Sequence, residues 1–363
     1  YWDVDVRYRG RRHMHWLHAQ KSWKIRVRGG AFVAGLATFN FINTPDPMPF
    51  DELIVMDMAR EKGILTPEYH PFQLQLNNVP MGIHFFSAQP DEGLLRNSQR
   101  IPGSLYSGNG APVDKASGVS LLWREAKYWK KVAARLGNKG AMQDNTELEH
   151  LLDMVNRAGD LEFARFAQDH IDLRRFALFD TLDVIFGGDQ HDFDQNHKLY
   201  FDPYKGRFEP VAWNFRGWAH RRAVNRAENP LQIRLKGIPG YLLMRNRMVL
   251  DLLDGDCSPG ALRRRIEGLI AALGTAQRAD PYWDAYHLLP QMDRYHRQLV
   301  RPMDEDRQDL VLGARYNLIN ERAAYLREEL TSGAVAVLAW AVPGATDLTA
   351  VDLDVSGGGG VRL

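Results

Sequence analysis

The hydrophobic spacing of this chain changes character near residue 117, and that change constrains the fold more than any other feature. Before it, apolar and polar residues alternate at 4–9 (VDVRYR) and 21–27 (KSWKIRV), and again at 72–77 (FQLQLN) and 81–87 (MGIHFFS), the period-two signature of half-buried strands. One helix-spaced run, 50–62 (FDELIVMDMAREK), lies between the two pairs, with Gly63 as its C-terminal stop. The second pair of strands joins near Asn77-Asn78-Val79-Pro80. After 117 the spacing predicts helices over 119–136, 145–157, 160–168, 172–186, 240–253, 259–273, 281–300 and 306–330. A β hairpin is embedded among them, 198–201 and 208–213, around the turn Asp202-Pro203-Tyr204-Lys205-Gly206. This order excludes the regular βαβ alternation of a doubly wound sheet. The expected class is α+β, in a two-lobed protein-kinase-like arrangement. A small β-rich N-lobe would take residues 1–92 and a larger, mainly helical C-lobe residues 93–330. Residues 331–363 read as a β-rich appendage or the start of a further module, with the glycine run 357–360 as a linker.

Composition narrows the function classes. With 363 residues, 45% hydrophobic and 25% charged, the chain can bury a sizeable core. A formal charge of +1 supplies no general attraction to nucleic acid or to an anionic membrane. No apolar run reaches the roughly 18 to 20 residues of a membrane span. The single Cys257 excludes an internal disulfide and a cysteine zinc site, and it reads as a tolerated thiol. Because the chain starts at Tyr1, its native N-terminus and any signal peptide are expected to lie outside it.

Chemistry concentrates in 188–202, GDQHDFDQNHKLYFD. Asp192, Asp194 and Asn196 match the first, third and fifth positions of a calcium loop. The sixth position needs glycine for its sharp turn and holds His197; the twelfth needs a bidentate glutamate and holds Pro203. His191 and His197, six apart, fit no short-spaced zinc pattern, and His13, His15 and His18 read as a polar surface or groove lining. Phosphoryl transfer asks for a carboxylate to take the nucleophile's proton, acidic or amide oxygens for Mg²⁺, and a lysine on the nucleotide phosphates. Asp189 and Asn196 supply the first two kinds of group from one loop, with a second carboxylate expected after the next hairpin and the lysine on an upstream strand.

In order along residues 6–330, these pieces resemble the CotH-type kinases, a family of spore-coat and secreted atypical protein kinases. Tyr8-Arg9-Gly10 followed by Lys21-Ser22-Trp23-Lys24-Ile25 is similar to the family's RG…KKSW/Y segment. NNVPMGI (77–83) is similar to its hairpin, and Ser104-Leu105-Tyr106 to a small element beyond the inter-lobe link. Asp189-Gln190-His191, then Asn196, then Leu199-Tyr200 is similar to its D-R-H…N…LY loop and strand, and RAAYLREEL (322–330) to its closing helix.

The resemblance implies ATP and Mg²⁺ or Mn²⁺ as cofactors, a protein substrate bearing Ser/Thr hydroxyls or a structural protein partner, and a secreted, cell-surface or spore-coat setting. It implies Asp189 as catalytic base and Asn196 as a metal-side ligand. Lys21, or alternatively Lys24, would approach the ATP phosphates; on one strand the two would face opposite sides. Glu52 or Asp57 would pair with that lysine. The departures are specific. The family's Trp-Asp-x-Asp segment reads Trp213-Asn214-Phe215-Arg216, the arginine of its D-R-H is Gln190, and Ala88 stands where a glutamate is usual. Asp192 and Asp194 are inserted in the loop. Either one of them replaces the missing metal carboxylate beside Asn214, or Arg216 contacts nucleotide phosphates directly, or the chain is a pseudokinase that binds nucleotide or scaffolds a surface assembly. A carbohydrate- or metal-binding protein with aromatic stacking platforms gains little from an aromatic content of 10%.

Overall fold

The computed structural model describes residues 1–10, 15–16, 20–43, 50–115, 120–134, 140–188, 190–215, 222–282 and 305–332. The expected appendage and the helix expected over 281–300 fall almost wholly outside them. So do Asp189, Arg216, His13 and His18. The first part holds β1 (Val4–Tyr8), β2 (Trp23–Val27), β3 (Thr38–Ile42), α1 (Phe50–Glu61), β4 (Tyr69–Leu76) and β5 (Val79–Ala88). The five strands form one antiparallel sheet in the order β1-β2-β3-β5-β4. Asn77 and Asn78 alone make the β4–β5 turn, both at positive φ (52° and 64°), which asparagine tolerates and which suits a two-residue hairpin. β5 therefore begins two residues before its alternation predicts, while β4 ends one residue earlier, at Leu76. The missed strand is β3. Its Asn40 is as buried as Phe39, so polar–apolar alternation does not mark its two faces.

The rest begins with α2 (Glu92–Asn97), β6 (Ser104–Gly108) and β7 (Trp129–Ala133), then α3 (Thr146–Arg157), α4 (Asp160–His170), α5 (Leu173–Ile185), β8 (His197–Asp202) and β9 (Arg207–Pro210). It closes with α6 (Pro230–Lys236), α7 (Pro239–Asp254), α8 (Pro259–Arg278) and α9 (Glu305–Thr331). The second sheet is antiparallel in the order β7-β6-β8-β9. The helix expected over 119–136 is overturned: residues 121–123 and 126–128 are short 3₁₀ turns, and the segment then becomes β7. Ser120 Oγ caps the first turn by accepting from Leu122 N (3.2 Å), and pairing with β6 wins over the helical spacing of the apolar residues. The fold is thus α+β, with two antiparallel sheets and helices gathered around the second. No helix among the described residues is long and apolar enough to cross a membrane.

Burial explains why α1 sits where it does. Phe50, Leu53, Ile54, Val55, Met56, Met58 and Ala59 are all buried, so α1 has apolar contact around most of its circumference. It shares one cluster with Phe85 of β5, Leu182 of α5, Val249 of α7, Ile266 of α8 and Ala323 of α9. Burying a side chain of that size contributes about 1.5–3 kcal/mol. A second cluster joins Tyr106, Trp123 and Trp129 to α3, α4, α6 and the start of α5. Arg322 of α9, 1% exposed, donates through Nη2 to the Val184 carbonyl (2.6 Å) and through Nη1 to the Arg222 carbonyl (2.5 Å), anchoring α9 to the end of α5. The loop from α5 to β8 starts at that point.

Candidate functional site

A cleft of about 650 Å³ opens between the two sheets. β1, the residues just after it and β2 line one side with Arg7, Arg9 and Lys24; α1 contributes Glu52; the α5–β8 loop, β8 and the segment after β9 line the other side with Asn196, Lys198, Trp213 and Asn214. Its lining is therefore drawn from positions as far apart as 7 and 214.

Arg9 and Gly10, just after β1, are held against His15 and Ser22. Arg9 N donates to Ser22 O (2.9 Å) and Ser22 N to His15 O (2.7 Å). Gly10, at φ 97°, lies so close to the His15 ring that a Cβ there would meet it at 2.3 Å. Arg9 is thereby held with its guanidinium 5.9 Å from the Trp213 ring centre.

The α5–β8 loop is fastened from several directions. Gly188 N donates to Asp183 O (2.8 Å), and a Cβ on Gly188 would stand 2.1 Å from Asp183 Oδ1. Buried His191 donates through Nδ1 to Asp183 Oδ1 (3.0 Å) and through Nε2 to the Trp213 carbonyl (2.7 Å). Both partners accept, so both ring nitrogens carry protons. Burial opposes that charge, but the Asp183 carboxylate and the two hydrogen bonds outweigh it and hold the His191 pKa above its ordinary value. Asn229 Nδ2 donates to the His191 carbonyl (3.1 Å), and Arg222 donates to the Gly188 carbonyl while pairing with Glu228 (2.5 Å). Arg222 is thus a staple of this loop.

The two inserted carboxylates shape the loop. Asp192 Oδ1 accepts from Asp194 N (2.8 Å) and Gln195 N (3.0 Å), and its Oδ2 from Gln195 Nε2 (3.1 Å). Asp194 Oδ1 accepts from Ala111 N (3.0 Å) and Ser120 Oγ (2.7 Å), tying the loop to the segment after β6. His197 donates through Nε2 to the Asp192 carbonyl. It is buried against Trp123 and close to charged His191, which together push its pKa down to about 3. Asn196 and Asn214, both at positive φ (66° and 54°), converge on Gln190: Asn196 Nδ2 donates to its carbonyl (3.0 Å) and Asn214 Nδ2 to its side-chain oxygen (3.3 Å).

Among the described residues of the lining, Arg7, Arg9, Lys24 and Lys198 outnumber the carboxylates of Glu52 and Asp194. Lys24 is half-buried and donates to Gln89 Oε1 (3.4 Å); burial, then Arg7, Arg9 and Lys130, lower its pKa, with Asp91 opposing. Lys198 is 8% exposed, donates to Ser107 Oγ (2.7 Å) and sits 5.5 Å from the centre of the same Trp213 ring that faces Arg9. Burial and Arg9 push it down to about 7. Among the described residues no carboxylate forms an ion pair with Lys198.

Of the residues singled out in the sequence, Lys24, Glu52, Asn196, Asn214 and Asp194 line this cleft. Lys21 precedes β2 and does not line it among the described residues; its carbonyl is bonded to His84 Nε2 (2.8 Å). Asp192 lies in the loop behind the lining. Glu52 accepts from the Tyr69 hydroxyl (3.3 Å), whereas Asp57 pairs with Arg60 on the same helix (2.7 Å). Asp189 and Arg216 lie outside the described residues. Sequence reasoning missed Lys198 altogether. Its signal was a lysine inside HKLYF, a strand with too many apolar neighbours for a solvated face. Buried Cys257, its thiol pushed up to about 12 by burial, is far from reactive. None of the curated protein sequences matches the chain. The family model for the CotH kinase protein matches residues 6–326, nearly the whole described length. On that match, and with Tyr8-Arg9-Gly10, Lys24, Asn196 and Leu199-Tyr200 in the expected order along the chain, this protein belongs to the CotH kinase family.

Proposed function

We propose that the cleft is the ATP site of a two-lobed kinase-type fold, with residues 1–92 above it and 93–330 below, and that the chain transfers the γ-phosphate to a Ser or Thr hydroxyl of a protein partner. The observation that carries this reading is the convergence of Lys24, Glu52, Asn196 and Asn214 on one cleft in a chain of a kinase family. In this reading the hydroxyl oxygen attacks the γ-phosphorus, the bond to the β-phosphate oxygen breaks, ADP leaves, and the hydroxyl proton passes to the carboxylate of Asp189. Lys24, not Lys21, is the phosphate-side lysine, because it is the one that faces the cleft.

Kinase family membership implies ATP and a divalent metal in general, and such an ion, where bound, screens phosphate charge. The donors among the described residues do not suit one. A hard divalent ion takes charged oxygens. Asn196 and Asn214 bring neutral amides turned to Gln190, the Asp192 carboxylate is filled by loop donors, and Lys198 faces the same space. Among the described residues no three His, Cys, Asp or Glu side chains gather as a metal-holding group. That donor set favours a second reading, a pseudokinase that binds nucleotide and presents a surface to a structural partner.

Thermal shift with ATP, ADP and adenosine tests the shared core of both readings; no shift with any of them defeats it. Radiolabelled phosphate transfer to protein acceptors then separates the two. Transfer abolished by Asp189→Ala, with an unchanged melting temperature, supports the kinase. Transfer that survives the substitution refutes Asp189 as base.

A further inference from the structure

We propose that this cleft takes the nucleotide polyphosphate as the free anion, without a divalent metal, and that Lys198 with Arg9 and Lys24 supplies the countercharge. The inference rests on the nucleotide reading above and goes beyond it in assigning the cation that the phosphates meet.

Three observations support it. First, Lys198 is a buried cation whose described contacts are a neutral hydroxyl, a backbone carbonyl (3.5 Å) and an aromatic face. A buried ammonium without a counter-anion costs several kcal/mol, and a bound anion removes that cost. Second, Arg9 and Lys198 both approach Trp213, and Arg9 is close enough to Lys24 and Lys198 to depress both. An anion of more than one charge, lying among them, would offset the repulsion that Arg9 exerts on Lys24 and Lys198. A polyphosphate fits that requirement and the 650 Å³ of space. Third, the same cluster repels a divalent ion, and among the described residues the lining offers it only two carboxylates, Asp194 and Glu52, the latter accepting from the Tyr69 hydroxyl (3.3 Å). Asn196 and Asn214 are amides, and Asp194, which lines the cleft, already accepts from Ala111 N and Ser120 Oγ. The lysine thus stands in for the metal.

The test is ATP binding to the intact chain, by calorimetry, in EDTA and in Mg²⁺ or Mn²⁺. Binding in EDTA at least as tight as with metal is expected, for ADP as well as ATP, with adenosine weaker by about tenfold or more for want of the charge-assisted contacts. Lys198→Met should weaken ATP binding in EDTA by about tenfold or more, whereas Lys198→Arg should stay within a few-fold; melting curves verify that each variant is folded. Asn214→Asp, which places a carboxylate near Lys198, should weaken metal-free binding and create a dependence on Mg²⁺. Binding seen only with metal overturns the proposal but leaves the nucleotide cleft standing. Metal-free binding that is indifferent to Lys198→Met and to Asn214→Asp overturns it as well. Failure of every nucleotide under every condition overturns the nucleotide reading itself, and this proposal with it.

Discussion

The two walls of the cleft carry similar charge in opposite surroundings. On the sheet of β1 and β2, Arg7 and Arg9 reach in from a solvent-facing edge and Lys24 is half-buried. On the β8 side, Lys198 is enclosed, and the loop leading to it is held by a buried imidazolium–carboxylate pair, His191 with Asp183. Charge at an exposed edge is screened by water and ions, so it attracts ligands at little cost to the fold. Charge inside is held at the expense of stability unless its partner is present. Asp183 is that partner for His191. For Lys198 the partner is the ligand we infer.

The largest effect expected on this contrast comes from breaking the buried pair. Asp183→Asn leaves the His191 charge unmatched and should destabilise the chain by about 3–5 kcal/mol in denaturant titrations. Combining Asp183→Leu with His191→Phe should recover most of that loss, since an apolar pair needs no countercharge. A loss that the double substitution does not recover would show that the pair contributes through loop geometry, not charge balance.

The two loop histidines should respond to pH in opposite senses. His197 has a folded pKa of about 3 against an ordinary 6.5, so between those values the unfolded chain takes up a proton that the folded chain refuses. Its contribution is intact above pH 6.5 and falls by about 1.4 kcal/mol per pH unit as the pH drops toward 3. His191 has a raised pKa, so its contribution is complete below 6.5 and is lost as the pH rises through its folded value. His197→Phe should flatten the acid limb of the stability profile and leave the alkaline limb alone. An unchanged acid limb would mean that His197 is not buried in its neutral form.

Smaller still is the difference between the lysines of the two walls. In the absence of nucleotide, Lys198→Met should raise stability by about 1 kcal/mol, the gain expected when an unpaired buried charge is removed from a functional site. Lys24→Met, on the more open wall, should change it by less than about 0.5 kcal/mol. Equal effects at the two positions would erase the distinction between the walls.

Much of this was legible before any fold was known. Helices α3, α4, α5, α7, α8 and α9 appear within a few residues of where apolar spacing puts them, because that spacing is a local property of the chain. β7 was read as helix because Leu122, Ala126, Trp129 and Ala133 fit a helical stripe, and only the free edge of β6 turns that stretch into a strand. The ordered motifs of the site, from Tyr8-Arg9-Gly10 to Asn196 and Leu199-Tyr200, were visible as types and order, while the functional standing of Lys24 relative to Lys21 was not. Lys21 lies before β2 begins, so counting faces along a strand did not apply to it.

Periodicity and residue order, read from the chain alone, set the mixed class, the positions of α3, α4, α5, α7, α8 and α9, and the family to which the protein belongs. They could do so because each depends on residues near one another in sequence. The tertiary structure decided which lysines meet, that Asp192 and Asp194 build the loop, that Asp183 neutralises His191, and that Lys198 is enclosed with no carboxylate beside it among the described residues. Those outcomes are set by desolvation and by charges brought together from distant parts of the chain, and both exist only once the two sheets face each other across the cleft.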